Sequence, residues 1–383
     1  MKVAFLTLGC KVNSYETSKM KTAFEDAGYT VTSFEDYADI YIVNTCTVTN
    51  IADRKSRKML HKARRMNPEA VVVAAGCYVD SAARRGETDD SVDIFISNKD
   101  KPDIIGIVSN AVKNRIAVSE EKICQTEKQQ EHTRAYVKVQ DGCSQYCTYC
   151  IIPYVRGKVR SRDIGEVEAE VKELAQKGYK EVVITGIHVS SYGTDPDDAK
   201  SFTRLGGRPL VKLLNAVNSV AGIERIRLGS LEPRIITEGF VKELAAMPKL
   251  CPHFHLSLQS GCDTVLKRMN RHYTAREYLR CVEILRKYFD QPAITTDIIT
   301  GFPQETEEEF KETCQFAYKA GFAQIHVFKY SRRHGTIADK MDGQLEEQVK
   351  ADRSQRLISI GKELETAYQK HFLKKYEKVL FEE

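Results

Sequence analysis

Short aliphatic runs alternate along this chain with longer stretches in which apolar positions recur every three or four residues. The N-terminal third predicts strands at Val3 to Leu8, Ile40 to Val43, Val71 to Ala75 and Val92 to Ile96. Between them, Tyr15 to Ala27 and Asn50 to Met66 carry helical periodicity, the second capped by Thr49 or Asn50 and followed by Pro68. From Ala135 onward the alternation resumes. Strands are predicted at Ala135 to Val139, Glu181 to Thr185, Arg225 to Leu228, His253 to Leu258, Ile294 to Ile299 and Gln324 to Phe328, with helices such as Ile164 to Gln176 and Glu305 to Ala320 between them. A charged helix is predicted from Leu345 to Lys370, and Lys378 to Glu383 has the composition of a strand with nothing after it to pair with. The fold class is therefore α/β: a parallel-sheet N-terminal domain, then six strand–helix units forming a (β/α)6 partial TIM barrel.

The segment from Val118 to Thr133 is charged and Gln-rich and marks a linker. It divides the chain into an N-terminal domain (1–115), a linker (116–134), a barrel (135–370) and the start of a further element (371–383). The 58 basic and 53 acidic residues leave a net charge of +5, which permits a nucleic-acid partner without requiring one. No stretch suits a bilayer span, so no membrane association is expected. Met1 to Cys10 faintly resembles a lipoprotein signal, but its thin charged start favours a buried first strand and a cytoplasmic, reducing compartment. Eleven cysteines in such a compartment point to metal binding or catalysis.

Cys143, Cys147 and Cys150 follow the first barrel strand in a C-x₃-C-x₂-C pattern. Three thiolates on one loop can hold three irons of a cubane and leave the fourth iron open to a substrate or cofactor. S-adenosylmethionine (SAM) suits that vacancy through its amino and carboxylate groups. A zinc site is the alternative, but no histidine stands at a usual spacing after Cys150. Cys10, Cys46 and Cys77 are far apart in sequence, yet each falls just past a predicted parallel strand. All such strand ends share one sheet edge, where ligand sites form. Gly9 and Gly76 would let the backbone approach a cluster closely. Taken singly, each cysteine would be a small buried hydrophobe; three at the same topological place favour a second cluster with three protein ligands.

The Cys143 loop, with Tyr149 before its third cysteine, resembles the radical-SAM superfamily. Across the whole chain, Leu8-Gly9-Cys10, Asn44-Thr45-Cys46, Ala75-Gly76-Cys77, the run from Gln140 to Gly157, Thr185 to Gly193, His255 to Cys262 and Asp297 to Pro303 resemble the radical-SAM methylthiotransferase family. Gly186-Ile187-His188 and Cys262 are similar to its branch acting on N6-threonylcarbamoyladenosine at tRNA position 37. The resemblance implies two [4Fe-4S] clusters, SAM, a tRNA substrate and an electron donor of flavodoxin or ferredoxin type. It implies that Cys143, Cys147 and Cys150 hold the cluster that splits SAM into a 5′-deoxyadenosyl radical. It further implies that Cys10, Cys46 and Cys77 hold the cluster that delivers sulfur, that the two open irons face one cavity, and that Tyr149 packs near adenine. Family members usually end in an RNA-binding TRAM domain, which is expected to be truncated or missing after Lys378 to Glu383.

Ser230, Gln259 and Asp297, at expected barrel strand ends, are candidates to hold SAM; bonds within loops are an equal alternative. On the helix from Asp53 to Arg65, Arg54, Lys55, Arg57, Lys58, His61, Lys62, Arg64 and Arg65 surround a stripe of Ser56, Met59, Leu60 and Ala63. With Arg156, Lys158, Arg160 and Arg162, this helix could contact tRNA phosphates, although a solvated face is the default. Cys124, Cys251, Cys281 and Cys314 are expected to be structural. His188, His253, His255 and His326 are expected to be satisfied core residues, and Glu305 and Glu307 to Glu309 to occupy a first helical turn. The alternatives to a tRNA enzyme are methylthiolation of a ribosomal-protein aspartate and a non-catalytic metal-containing RNA-binding protein.

Overall fold

A computed structural model describes residues 1–115, 134–198 and 201–381. It comprises two compact units, the first holding the N-terminal region to Arg115 together with Tyr154–Gly157, the second holding the rest. The proposed linker as far as residue 133, Cys124 and the last two glutamates lie outside the described residues, while Arg134 already belongs to a strand.

In the first unit, β1 (Lys2–Thr7), β2 (Thr30–Thr32), β3 (Ile40–Thr45), β4 (Val71–Gly76) and β5 (Ile94–Ile96) form one sheet in the order β2-β1-β3-β4-β5. Every pairing is parallel. Both faces are covered, which is why the strands are continuously apolar rather than alternating. Tyr41, Val43, Val72 and Ala74 pack with Leu60 and Ala63 of α2 (Asn50–Met66). Ile40, Ile42, Val71 and Val73 pack on the other face with Phe24 of α1 (Lys11–Asp26) and Val108 of α4 (Ile104–Arg115). α1 begins four residues earlier than its periodicity suggests, because Gly9, at φ +102°, turns the chain directly from strand into helix. The helix α3 (Cys77–Arg85) follows Gly76 (φ +97°) in the same way.

In the second unit, β6 (Arg134–Asp141), β8 (Glu181–Gly186), β9 (Arg225–Leu228), β10 (His253–His255), β11 (Ala293–Thr300) and β12 (Gln324–Lys329) run parallel in chain order. A two-residue β7 (Arg160–Ser161) pairs antiparallel with β6. Isolated bridges Ile226↔Leu250 and Leu231↔Leu256 connect the β9 and β10 sides, so the sheet curves as a partial barrel. Its outward residues, including Val137, Ile184, Leu228, Phe254 and Ile298, form one core with helices such as α6 (Ile164–Gln176), α8 (Arg208–Ser219) and α11 (Ala275–Tyr288).

Several expectations are corrected. The fourth barrel strand ends at His255, not Leu258. The Leu258 amide turns to the Thr296 hydroxyl, and Gln259 adopts φ +75° before bridging Ile298. Helix α12 (Glu307–Ala320) starts after Glu305; Thr306 caps it in a reciprocal box with Glu309. Glu305 is instead buried, accepting from the Gly301 amide and Arg353 Nη1, each at 2.7 Å. Lys378 to Phe381 forms no strand; Lys378 bonds Arg225 through its carbonyl and Glu224 through its amine.

Candidate metal centres

Cys10 caps the N-terminus of α1 and Cys77 is the first residue of α3, so two of the three sulfurs start helices, where the dipole favours negative charge. Cys46 follows β3 and is clamped by Ser56 of α2, whose hydroxyl accepts from its amide at 3.2 Å and donates to its carbonyl at 2.9 Å. A β-carbon on Gly9 would stand 2.9 Å from the Cys46 sulfur, which is the close approach that glycine permits. Asn13 Nδ2 donates to the carbonyls of Leu8 and Thr45 at 2.6 and 2.9 Å, holding the strand ends before Cys10 and Cys46. Asn98 points its amide at Cys77 Sγ, 3.5 Å away.

Burial pushes the Cys46 thiol up to about 11; Cys77 and Cys10 raise it further, while the Arg156 guanidinium opposes them. Such a thiol ionises only when a cation takes the place of its proton.

In the second unit, the Cys143 loop leaves β6 through Gly142 (φ +70°). The Gln140 side chain donates to the carbonyls of Asp141 and Gly142, both at 2.7 Å. Thr148 is tied to the Met269 carbonyl through its amide and to the Arg268 carbonyl through its hydroxyl. Arg271 Nη1 lies 3.2 Å from Cys147 Sγ. Burial pushes Cys143 up to about 12 and Cys150 higher still, with Cys147 adding to both and Cys143 adding to Cys150. Tyr149 packs edge-on against Phe302, with Cys262, Val265 and Met269 around it.

In each trio the thiols lie near enough to raise one another's pKa: Cys77 and Cys10 act on Cys46, and Cys147 and Cys143 on Cys150. Three thiolates are the donor set of a cubane with one iron left open, and neither motif supplies the fourth ligand of a closed structural zinc site. The three-cysteine sets therefore fit iron–sulfur clusters.

The other candidates divide. Ser230 is exposed after β9, and Gln259 is nearly buried beyond β10. Asp297 lies inside β11 rather than at its end, and its carboxylate is 3.3 Å from His255 Nε2. Among the histidines, His188 is partly covered with its Nε2 enclosed, His255 is partly covered and His326 is exposed. The second basic cluster is largely spent: Arg156 is buried on Glu16, Arg162 binds Glu170 at 2.6 Å, and Lys158 pairs with Asp197. On α2, Arg64 pairs with Asp93 and Lys62 with Glu35, while Arg57 and Lys58 are exposed. Met59 is only partly buried; Asp53 completes the buried stripe with Ser56, Leu60 and Ala63. Sequence reasoning missed Asn13, Asn98 and Arg271, whose proximity to the cysteines depends on tertiary folding. Cys251 and Cys281 are buried, and Cys314 is partly covered.

The barrel and the cysteine loop together define a radical-SAM enzyme. The radical-SAM superfamily model matches residues 137–317, and that of an uncharacterised family, UPF0004, matches residues 2–97. The chain is 40% identical to the Bacillus subtilis threonylcarbamoyladenosine tRNA methylthiotransferase MtaB, covering 96% of this chain and 81% of that one. It is 40% identical to the Aquifex aeolicus MtaB (98% and 90% covered). A Caldicellulosiruptor saccharolyticus tRNA-2-methylthio-N(6)-dimethylallyladenosine synthase is 36% identical (94% and 77% covered). Among solved structures, the radical-SAM methyltransferase TsrM from Kitasatospora setae shares the fold at TM-score 0.58 and 15% identity, over 86% of this chain and 73% of that one. This chain belongs to the radical-SAM tRNA methylthiotransferase family, whose members use SAM and two [4Fe-4S] clusters. No described helix is long and apolar enough to cross a membrane.

Proposed function

We propose that this protein converts N6-threonylcarbamoyladenosine at tRNA position 37 to its 2-methylthio derivative, in the cytoplasm and with electrons from a flavodoxin- or ferredoxin-type donor. Cys143, Cys147 and Cys150 would hold one cluster, and Cys10, Cys46 and Cys77 the other. When bound, the clusters and SAM supply radical cleavage of an unactivated C–H bond, sulfur and a methyl group, none of which a side chain can provide.

The chain's own residues position and tune. Arg271 directs an N–H at Cys147 sulfur and Asn98 directs one at Cys77 sulfur. Hydrogen bonds to sulfur are among the levers that set cluster potential. Of the four SAM candidates, Tyr149, Ser230 and Gln259 keep that assignment; Asp297, held inside β11 against His255, is assigned instead to the substrate side. The exposed Arg57 and Lys58 on α2 are assigned to tRNA phosphates.

The observation that supports this reading is the pairing of two three-cysteine sites, each lacking a fourth cysteine ligand in its motif, in a chain 40% identical to MtaB enzymes. Anaerobic reconstitution, iron counting and nucleoside mass spectrometry test it. Cys147→Ala is expected to abolish SAM cleavage. Cys46→Ala is expected to retain cleavage but make no methylthio product. Product from the Cys46 variant would end the assignment of the second cluster.

A further inference from the structure

Closed eight-stranded barrels fill their interior with layers of branched apolar side chains. This partial barrel does not. Along each strand, successive residues face opposite sides. Phe254 on β10, Ile294 and Ile298 on β11, and Ile325 and Val327 on β12 belong to or pack against the outward core. The opposite, inner positions on these three strands include His255, Thr295, Asp297 and His326, and they are largely polar.

Three of these inner groups converge. His255 Nε2 is 3.3 Å from Asp297 Oδ2, the His255 and His326 rings are 5.9 Å apart, and one ligand atom from each of His255, Asp297 and His326 lies within 4.8 Å of the others. His255 is held from both sides, because its Nδ1 is 3.0 Å from the Thr295 hydroxyl. His326 is paired with Asp297 in the strand register, so the two sit side by side. His326 is exposed, whereas Arg225 and Arg227 on β9 are committed to Glu181 at 2.9 and 2.8 Å. The barrel therefore presents an imidazole, braced by a second imidazole and a carboxylate, on the same face of β11 from which Ile299 joins the apolar cluster around Phe302.

We propose that His326, supported by His255 and Asp297, is a specificity-determining subsite for a polar, carboxylate-bearing substituent on N6 of the substrate adenine. The inference rests on the function proposed above and names the part of the site that reads the substituent. An imidazole N–H can donate to a carboxylate oxygen, and Asp297 can accept from the substituent's hydroxyl or amide N–H. An aliphatic N6 group would instead leave these polar groups desolvated and unpaired, a strong source of discrimination.

The test uses the full chain with both clusters reconstituted and two anticodon stem-loop RNAs differing only at position 37, one with N6-threonylcarbamoyladenosine and one with adenosine. The parent is expected to bind the modified RNA roughly tenfold to a hundredfold more tightly, the range expected for one or two hydrogen bonds to a charged group. His326→Phe should reduce that ratio to about twofold, with iron per chain unchanged. His326→Gln, which restores an N–H donor, should recover part of it. Because His326 is exposed, neither variant should disturb folding, and the iron content reports any failure.

A parent that discriminates while His326→Phe keeps the full ratio would overturn the subsite and leave the proposed function standing. A parent without preference that also forms no methylthio product would overturn both. Loss of one stoichiometric divalent metal ion from His326→Phe, with cluster iron intact, would show that the three groups hold a metal instead and would overturn the subsite.

Discussion

Arg156 and Glu16 form a buried ion pair, Nη1 to Oε1 at 3.0 Å, although 140 positions separate them in sequence. Lys101 closes on the second carboxylate oxygen at 2.6 Å, and Arg156 also reaches the Asn13 side chain at 2.8 Å. Because Asn13 holds the carbonyls before Cys10 and Cys46, the pair braces the cysteine cradle. Breaking a buried pair by removing one partner costs roughly 3–5 kcal/mol. Arg156→Ala should cost about 3 kcal/mol, the low end of that range because Lys101 still faces Glu16. It should also lower iron retention, and Arg156→Lys should restore part of both. Denaturant titration and iron counting check this; a loss below about 1 kcal/mol would show that the pair is not structural.

Glycine variants should separate close approach from mere backbone conformation. Gly9 and Gly86 both have positive φ, +102° and +67°. A β-carbon at Gly9 would collide with Cys46 at 2.8 Å, whereas nothing lies within 4 Å at Gly86. Gly86→Ala should cost only about 1 kcal/mol of left-handed strain and leave iron content unchanged. Gly9→Ala should displace Cys46 and lose roughly half of the eight irons that two [4Fe-4S] clusters hold. Equal iron in the two variants would show that the cradle tolerates the added carbon.

The exposed pair Arg57 and Lys58 predicts a salt effect. If both contact phosphates, Arg57→Glu with Lys58→Glu should weaken tRNA binding. The slope of log affinity against log salt should become shallower by roughly two contacts' worth, about 0.9 each on duplex. Binding measured across a salt series decides it; an unchanged slope removes α2 from the RNA interface.

His188 makes stability depend on pH. Burial, with the charges of Arg271 and Arg234, lowers its pKa from 6.5 to about 3, and its Nδ1 is 2.7 Å from the Ser191 hydroxyl. Between those pH values the unfolded chain takes up a proton that the folded chain refuses. The contribution is therefore complete above pH 6.5 and declines as pH falls toward 3, by about 1.4 kcal/mol per unit at most. His188→Gln should flatten the stability profile between pH 6.5 and 5 by roughly 2 kcal/mol. Parallel profiles from urea titrations of the two proteins would place the histidine's neutral form elsewhere.

The elements that were legible are those with local determinants. Helices Asn50–Met66 and Ile164–Gln176 and strand Arg225–Leu228 match the pattern residue for residue, the helices because Thr49 and Asp163 cap them. Cysteine placement was legible because parallel strand ends share an edge. What stayed hidden depends on partners remote in sequence. Arg156 resembles its neighbours in a basic run until Glu16 buries it, and Glu305 resembles a helix-start acid until Arg353 claims it. His255 and His326 resemble core histidines because sequence alone does not tell which side of a barrel strand faces helices.

That barrel draws its cohesion from outside. Ile294, Ile298 and Phe254 lock the strands to the surrounding helices, so His255, Asp297 and His326 on the opposite side carry little of the packing that holds it together. Exchanging them should leave folding largely intact. A lineage could thus drift from one modified nucleoside to another by altering a few interior positions, with its radical chemistry and scaffold inherited unchanged.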